Sequence, residues 1–406
     1  MNSILAQKLS LPCGAELPNR IAKSAMSEQL GDSHNNPTQD LITLYQRWSQ
    51  GGAGLLITGN VMVDRMALGE PRNVVIEDER DLLTLKRWAA ARQSNGSKIY
   101  VQINHPGRQS PSFLSRQPVA PSAIPVKLGK GVFAIPRALL ANEIEVLIKR
   151  YAQTAAIVQK AGFDGVQIHG AHGYLVSQFL SPLANQRDDD WGGTPEKRRR
   201  FLQEIVRQIR KAVGKNFPIG VKLNSADFQR GGFTEEESMN VVQMLAAEGL
   251  DLLEISGGTY ESAAMVGQAK QQESTKAREA YFLEYAQKGR KLVKLPLMLT
   301  GGLRSAQTMY QIVADGHVDI VGLARPLAID PALPNKILAD QSVRAESAKH
   351  SIGVKLLDSY IELAWYNQQI QRMGAGKDPD IHRSAWRTLF ASIWGNGLDS
   401  LRLKRS

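Results

Sequence analysis

Eight short apolar runs, each followed by a helical pattern or a turn leading to one, constrain this chain more than any other feature. They are Arg20–Ala25, Gly54–Ile57, Lys98–Ile103, Asp164–Ile168, Pro218–Leu223, Asp251–Ile255, Pro296–Leu299 and Asp319–Val321. Several are rich in Val, Ile and Leu, as strands buried on both faces are. Between them, Asp78–Ser94 and Glu143–Ala161 carry apolar residues at helical spacing. Thr194-Pro195-Glu196 combines a capping hydroxyl, a proline at the first helical position and an acid in the first turn. Thr234 and Glu237 have the spacing of a capping box, and Ser305 is placed to cap the helix after the seventh run. Eight repeats of strand then helix predict an α/β protein, a (β/α)8 TIM barrel. A doubly wound sheet would need fewer strands. Its dinucleotide-binding form would want Gly-x-Gly-x-x-Gly after the first strand, and that motif is missing.

Three segments exceed a minimal barrel. Met1–Asn19 precedes the first strand and is expected to cover the barrel bottom. Ser110–Ala141, rich in proline and glycine, is an insertion after the third strand, and Gly257–Ala277 is a long loop after the sixth. Loops that follow strands lie on the catalytic face, so these two are candidate lids and specificity walls. Residues 1–340 are assigned to the barrel and 341–406 to a C-terminal helical extension. Within it, Ile352–Met373 reads as a helix with Leu356, Tyr360, Ile361, Ala364 and Trp365 at helical spacing, packed on the barrel or on a partner subunit.

Composition narrows the partners. The 406 residues are 43% hydrophobic, enough for a large core. A single cysteine, Cys13, excludes disulfides within the chain and an all-cysteine zinc or iron–sulfur site, and no metal is expected. A reducing cytoplasm is the expected compartment. Met1–Leu11 has no signal-peptide core and no run approaches about 18 apolar residues, so no membrane partner is expected. The net charge is +11, but the cations are scattered along helices. Lys197–Arg200 precedes an amphipathic segment and reads as a solvated face, so no nucleic acid is expected.

In a TIM barrel, polar residues at the C-terminal strand ends converge on one site. Nearly every end here carries one. Ser27 follows the first strand, and Thr58, Gly59 and Asn60 the second. Gln102, Asn104 and His105 end the third, and Lys222 lies in the fifth. Ser256 follows the sixth, Gly301-Gly302 the seventh, and Ala324-Arg325 closes the eighth. The two glycines let backbone N–H groups approach an oxyanion, and Arg325 offers a charged fork. A ligand with a terminal phosphate fits, and phosphosugars, pyridoxal phosphate and FMN all qualify. A flavin ring needs an amide-like partner, which Gln102 can be, and a cation near N1 and O2, which Lys222 can supply. After the fourth strand comes Ile168-His169-Gly170-Ala171-His172-Gly173-Tyr174-Leu175. Two imidazoles and a phenol there can polarise a carbonyl and deliver a proton. A satisfied structural histidine pair or two metal ligands would be the plain alternatives.

Residues 5–335 resemble the old yellow enzyme family, the FMN-dependent ene-reductases that include the barrel domain of 2,4-dienoyl-CoA reductase. Asn19-Arg20-Ile21 and Gln102-Ile103-Asn104-His105-Pro106-Gly107-Arg108 carry part of the likeness. The most specific block runs from Ala161-Gly162-Phe163-Asp164-Gly165 through His169-Gly170-Ala171-His172-Gly173-Tyr174-Leu175 to Gln178-Phe179-Leu180-Ser181-Pro182, Asn185-Gln186-Arg187 and Trp191-Gly192-Gly193. Thr300-Gly301-Gly302 and Ala324-Arg325 complete it. The resemblance implies that Ala25, Met26 and Ser27 meet a non-covalent FMN, with Asn60 also at the cofactor. Gln102 and Lys222 would grip its pyrimidine edge, and Gly301, Gly302, Ala324 and Arg325 its phosphate. Family members carry Cys or Thr at the Ser27 position and often Arg at that of Lys222. His169 and His172 would bind the carbonyl oxygen of an enone or enal, and Tyr174 would protonate its α-carbon after hydride arrives from NAD(P)H by way of the flavin. A homo-oligomer is compatible with this reading, although the C-terminal sequence does not match the arginine tail that some relatives exchange. The alternatives are an amine dehydrogenase or demethylase on the same barrel, whose flavin contacts are shared, and a tRNA dihydrouridine synthase. The latter would need a catalytic cysteine on a mid-chain loop, whereas Cys13 precedes the first strand.

Overall fold

This computed structural model describes residues 3–92, 96–127, 131–257, 273–348 and 350–392. Its centre is a closed ring of eight parallel strands: β1 (Ile21–Lys23), β2 (Leu55–Ile57), β3 (Lys98–Asn104), β4 (Gly165–Gly170), β5 (Ile219–Asn224), β6 (Leu252–Ser256), β7 (Leu297–Thr300) and β8 (Ile320–Leu323). Each pairs with its neighbours in sequence, and β8 closes on β1 with Val321 beside Ile21. All eight expected strands are present within two residues of their expected bounds, so the TIM barrel is what the chain forms.

Alternation along the strands explains how one sequence makes both a core and a site. Outward residues such as Ile21, Leu56, Val101, Ile168, Val221, Ile255, Leu299 and Val321 are aliphatic and join the core beneath the surrounding helices. Inward residues change character with height. Ala22, Leu55, Ile57, Tyr100, Leu252, Met298 and Ile320 form an apolar floor. Leu9, Leu11 and Leu17 of an N-terminal hairpin pack onto that floor, so the segment before β1 does seal the bottom. Further up, the inward positions become Ser24, Gln102, Gln167, Lys222, Glu254 and Thr300, all within the strands or next to them.

Helices cover the ring: α1 (Gln39–Gln50), α2 (Leu82–Ala89), α3 (Ala141–Ala161), α4 (Pro195–Val213), α5 (Glu235–Ala247), α6 (Glu273–Leu292), α7 (Ala306–Ala314) and α8 (Leu333–Ala339). Thr194 and Ser305 cap α4 and α7, and Thr234 with Glu237 forms the expected capping box on α5. α2 is shorter than the expected Asp78–Ser94. The Asp78 carboxylate accepts from the Arg80 N–H at 3.0 Å, and this side-chain turn displaces the first helical turn. The helix α6 begins at Glu273, inside the expected 257–277 loop; 258–272, with Tyr260, lies outside the described residues. The 110–141 insertion is pinned beside the mouth by a short parallel pair, Val119–Ala120 with Arg137–Ala138, and by Arg187 Nη1 donating to the Pro121 and Leu139 carbonyls.

The C-terminal helix α9 (Lys355–Gly374) lies on α1 and carries Ile361 and Trp365 fully buried. Tyr360 does not share that face: it is 44% exposed, and Tyr366 is buried instead. The reason is period: Ile361 and Trp365 stand one turn apart, Tyr366, Ile370 and Met373 continue their side of the helix, and Tyr360 falls roughly opposite it. Among the described residues, no helix is long and apolar enough to cross a membrane.

Candidate functional site

The barrel mouth holds a chain of polar side chains that crosses four strands. Lys222 Nζ pairs with Glu254 Oε1 at 3.2 Å. Glu254 Oε2 accepts from Gln167 Nε2 at 2.8 Å, and Gln167 Oε1 accepts from Gln102 Nε2 at 2.7 Å. Register places them: Lys222 stands beside Glu254 and Gln167 beside Gln102. All four are nearly inaccessible. A buried charge is costly unless paired, and Glu254 supplies the opposite charge for Lys222. Gln167 and Glu254 were not among the expected site residues.

Above this layer the strand β4 delivers His169, and the turn after it delivers His172 and Tyr174. The His169 ring lies 5.1 Å from that of His172 and 4.8 Å from that of Tyr174, each edge to face. His169 Nδ1 accepts from the Ala171 N–H at 3.3 Å, which places the ring proton on Nε2. His172 Nε2 is 2.8 Å from Ser256 Oγ. Burial holds both imidazoles well below their ordinary pKa. The His172 ring and the Lys222 ammonium push His169 further down, and Lys222 does the same to His172. At neutral pH both are therefore neutral donors rather than cations. Tyr174 Oη accepts from Asn60 Nδ2 at 3.4 Å, which ties the second strand end to the phenol. Among the described residues no cluster of three or more metal-ligating side chains accompanies the histidines.

The turn that carries these rings is held from several sides. His172 has a left-handed backbone, φ +61°, unusual for a side chain with a Cβ. Asn224 Oδ1 accepts from its N–H at 3.2 Å, and its carbonyl accepts from Gln109 Nε2 at 2.9 Å. Gln178 donates to the Pro106 and Gly173 carbonyls and accepts from the Arg108 N–H. Asn185 donates to the Phe179 and Trp191 carbonyls. Much of the long motif around His169 thus braces the loop. Strain of about 1–3 kcal/mol at one residue persists only where its surroundings impose it in this way.

The remaining expected residues fall around the same mouth. Gly301 and Gly302 have φ of +122° and +77°, so only glycine presents its backbone there without strain. Arg325 Nη1 donates to Glu362 of α9 at 2.7 Å, and the guanidinium lies 5.7 Å from the Tyr366 ring. Ala25 and Met26 follow β1, and Ala324 follows β8, beside them. Ser27 Oγ donates to Glu70, an acid that the sequence reading did not single out. His105 turns away from the pair: its Nδ1 accepts from the Gly107 N–H, its charged neighbours are Asp64 and Arg150, and burial lowers its pKa to about 4. Asn104 Oδ1, buried at the top of β3, has no hydrogen-bond partner among the described residues. An orphaned acceptor there, the amide and ammonium groups below it and a glycine pair opposite suit a flat ring with a polar edge and a phosphate tail.

The class that this fold and mouth define is a barrel oxidoreductase working through a flavin. The chain belongs to the NADH:flavin oxidoreductase / NADH oxidase family, the old yellow enzyme family, whose model matches residues 13–343. NADH-dependent flavin oxidoreductase iliE of Hypocrea jecorina (strain QM6a) is 35% identical over 387 residues, spanning 89% of this chain and 94% of that one. NADH oxidase of Thermoanaerobacter brockii is 36% identical over 324 residues, 78% of this chain but 48% of its own length. The old yellow enzyme homologue from Zymomonas mobilis superposes with a TM-score of 0.71 at 26% identity, covering 84% of this chain and 94% of that one. Morphinone reductase in complex with tetrahydroNAD gives 0.68 at 26% identity, covering 84% and 91%.

Proposed function

We propose that this protein is an FMN-dependent ene-reductase, taking hydride from NADH or NADPH and reducing the C=C bond of α,β-unsaturated carbonyl compounds. The observation that carries the proposal is the pair of neutral imidazoles, His169 buried and His172 half-buried, with Tyr174 packed against His169. Ala25, Met26, Ser27, Asn60, Gln102 and Lys222 would hold the flavin ring, and Gly301, Gly302, Ala324 and Arg325 its phosphate. When bound, FMN supplies two-electron hydride transfer between the nicotinamide and the substrate.

The side chains supply the rest. His169 offers its Nε2–H to the substrate carbonyl oxygen. His172 offers Nδ1–H when Ser256 donates to its Nε2, so Ser256 selects the useful tautomer. Neutral donors suit this task, because charge grows on the carbonyl oxygen only as hydride reaches the β-carbon. Tyr174 holds the proton for the α-carbon, with Asn60 orienting its oxygen. Burial of Tyr174 and His169 keeps water from competing for that proton.

The test is to load the protein with FMN, reduce it anaerobically with NAD(P)H, add 2-cyclohexenone and follow the flavin absorbance. Bleaching and then recovery on adding the enone is the expected result. Bleaching without recovery would move the reading to another acceptor or to oxidative amine chemistry.

A further inference from the structure

The half-buried acid Glu70 is not used by the chemistry above, yet it touches the residue that opens the mouth. Its Oε1 accepts from Gln29 Nε2 at 3.0 Å, and its Oε2 accepts from Asn73 Nδ2 at 3.1 Å and from Ser27 Oγ. Ser27, Gln29, Asn60 and Asn73 line one small pocket, and Asn60 in turn reaches Tyr174. The backbone is set with equal care. Gln29 is left-handed, φ +51°, and Asn367 of α9 donates to the Ser27 carbonyl at 2.9 Å. We propose that Glu70 is a positioning residue: its carboxyl decides which way the single Ser27 hydroxyl proton points, and so what Ser27 offers to a ring seated at the mouth. The inference rests on the flavin reading above and extends it to a residue outside the expected site.

An ionised Glu70 only accepts, so the Ser27 O–H is donated to it and a lone pair is left facing the mouth. A protonated Glu70 donates to Ser27 Oγ, and Ser27 turns its own proton outward. Electron density rises at a flavin's carbonyl edge on reduction, and an outward donor is then preferred. Flavin reduction and proton uptake by Glu70 are thereby linked, each favouring the other. Burial pushes the Glu70 carboxyl up. The hydrogen bonds from Ser27, Asn73 and Gln29 pull it down, and the Glu28 carboxylate pushes it up again. Nearby cations are engaged elsewhere: Lys23 with Glu28, and Arg72 through its Nε with the Gly31 carbonyl.

The test measures the midpoint potential of bound FMN by dye equilibration from about pH 6 to 9, in the wild type, E70Q, S27A and the double variant. Gln at position 70 can neither gain nor lose a proton, so it holds the Ser27 hydroxyl in one orientation at every pH. The wild-type potential should fall more steeply with pH than that of E70Q. Between the two ends of the range the gap between wild type and E70Q should change by the equivalent of about a tenfold ratio of reduced- to oxidised-flavin affinity. In the S27A background, E70Q should change neither the slope nor the potential. Equal slopes in wild type and E70Q, or an E70Q effect undiminished by S27A, would overturn the inference alone. FMN titration by fluorescence quenching separates the other case: a wild-type chain that binds no FMN would overturn the flavin reading, and this inference with it.

Discussion

At the scale of single residues the proposed chemistry divides between a proton donor and two oxyanion donors, and each can be removed separately. Tyr174→Phe keeps the ring that packs 4.8 Å from His169 and removes only the hydroxyl. Flavin reduction by NAD(P)H should be unchanged, and reoxidation by an enone should slow by about 10²–10⁴, the range for a lost general acid. Stopped-flow rates of the two half-reactions decide it, and equal losses in both would remove Tyr174 from that role. His172→Ala removes a neutral donor held by Ser256. A phenolate presents an oxygen anion much as the developing enolate does. Its affinity, read from the long-wavelength absorbance of the complex, should therefore weaken roughly three- to tenfold, the worth of one buried hydrogen bond. Unchanged affinity would assign the oxyanion to His169 alone.

At the scale of elements, the eight strands and most helix starts are legible in the sequence because their signals are local. Thr194-Pro195-Glu196 and the Thr234–Glu237 box carry their own capping chemistry, and the structure uses both. The rings of His169, His172 and Tyr174 are legible for the same reason, since one strand end carries all three. Pairings are not local. Gln167 and Glu254 are 87 residues apart and meet only through strand register, so the sequence marks each merely as a polar residue inside an apolar run. Glu70 and Ser27 are 43 residues apart and meet only when two loops fold together. The C-terminal helix shows the same limit: its apolar period is readable, but its landing on α1 is not. That landing has a measurable worth. Trp365 is fully buried, and its Nε1 donates to the Arg383 carbonyl at 3.0 Å. Trp365→Ala should lower unfolding stability by about 3–5 kcal/mol. A loss under about 1 kcal/mol in urea denaturation would mean that α9 adds little to the barrel.

At the scale of the whole molecule, the same burial that keeps the site imidazoles neutral makes the fold sensitive to acid. His105, His169 and His172 all have pKa values depressed first by burial, His105 to about 4. An unfolded chain takes up a proton at each histidine near pH 6.5, whereas the folded chain resists until far lower. Below about pH 6.5 the unfolded state therefore binds more protons, and stability falls as pH falls. Above that pH these groups contribute no slope, because both states are neutral. His105 isolates the effect, since it faces Asp64 and Arg150 and lies away from the proposed chemistry. Its Nδ1 accepts from the Gly107 N–H at 3.0 Å, a bond that an asparagine oxygen can replace. Between roughly pH 6.5 and 4 it should contribute about 1.4 kcal/mol per pH unit. The urea midpoint of His105→Asn should accordingly decline less steeply across that range than that of the wild type, and the two should run parallel above pH 7. Parallel curves throughout would show that His105 takes up its proton equally readily in the folded and unfolded chains, and that a neutral imidazole there is not part of what acid disrupts.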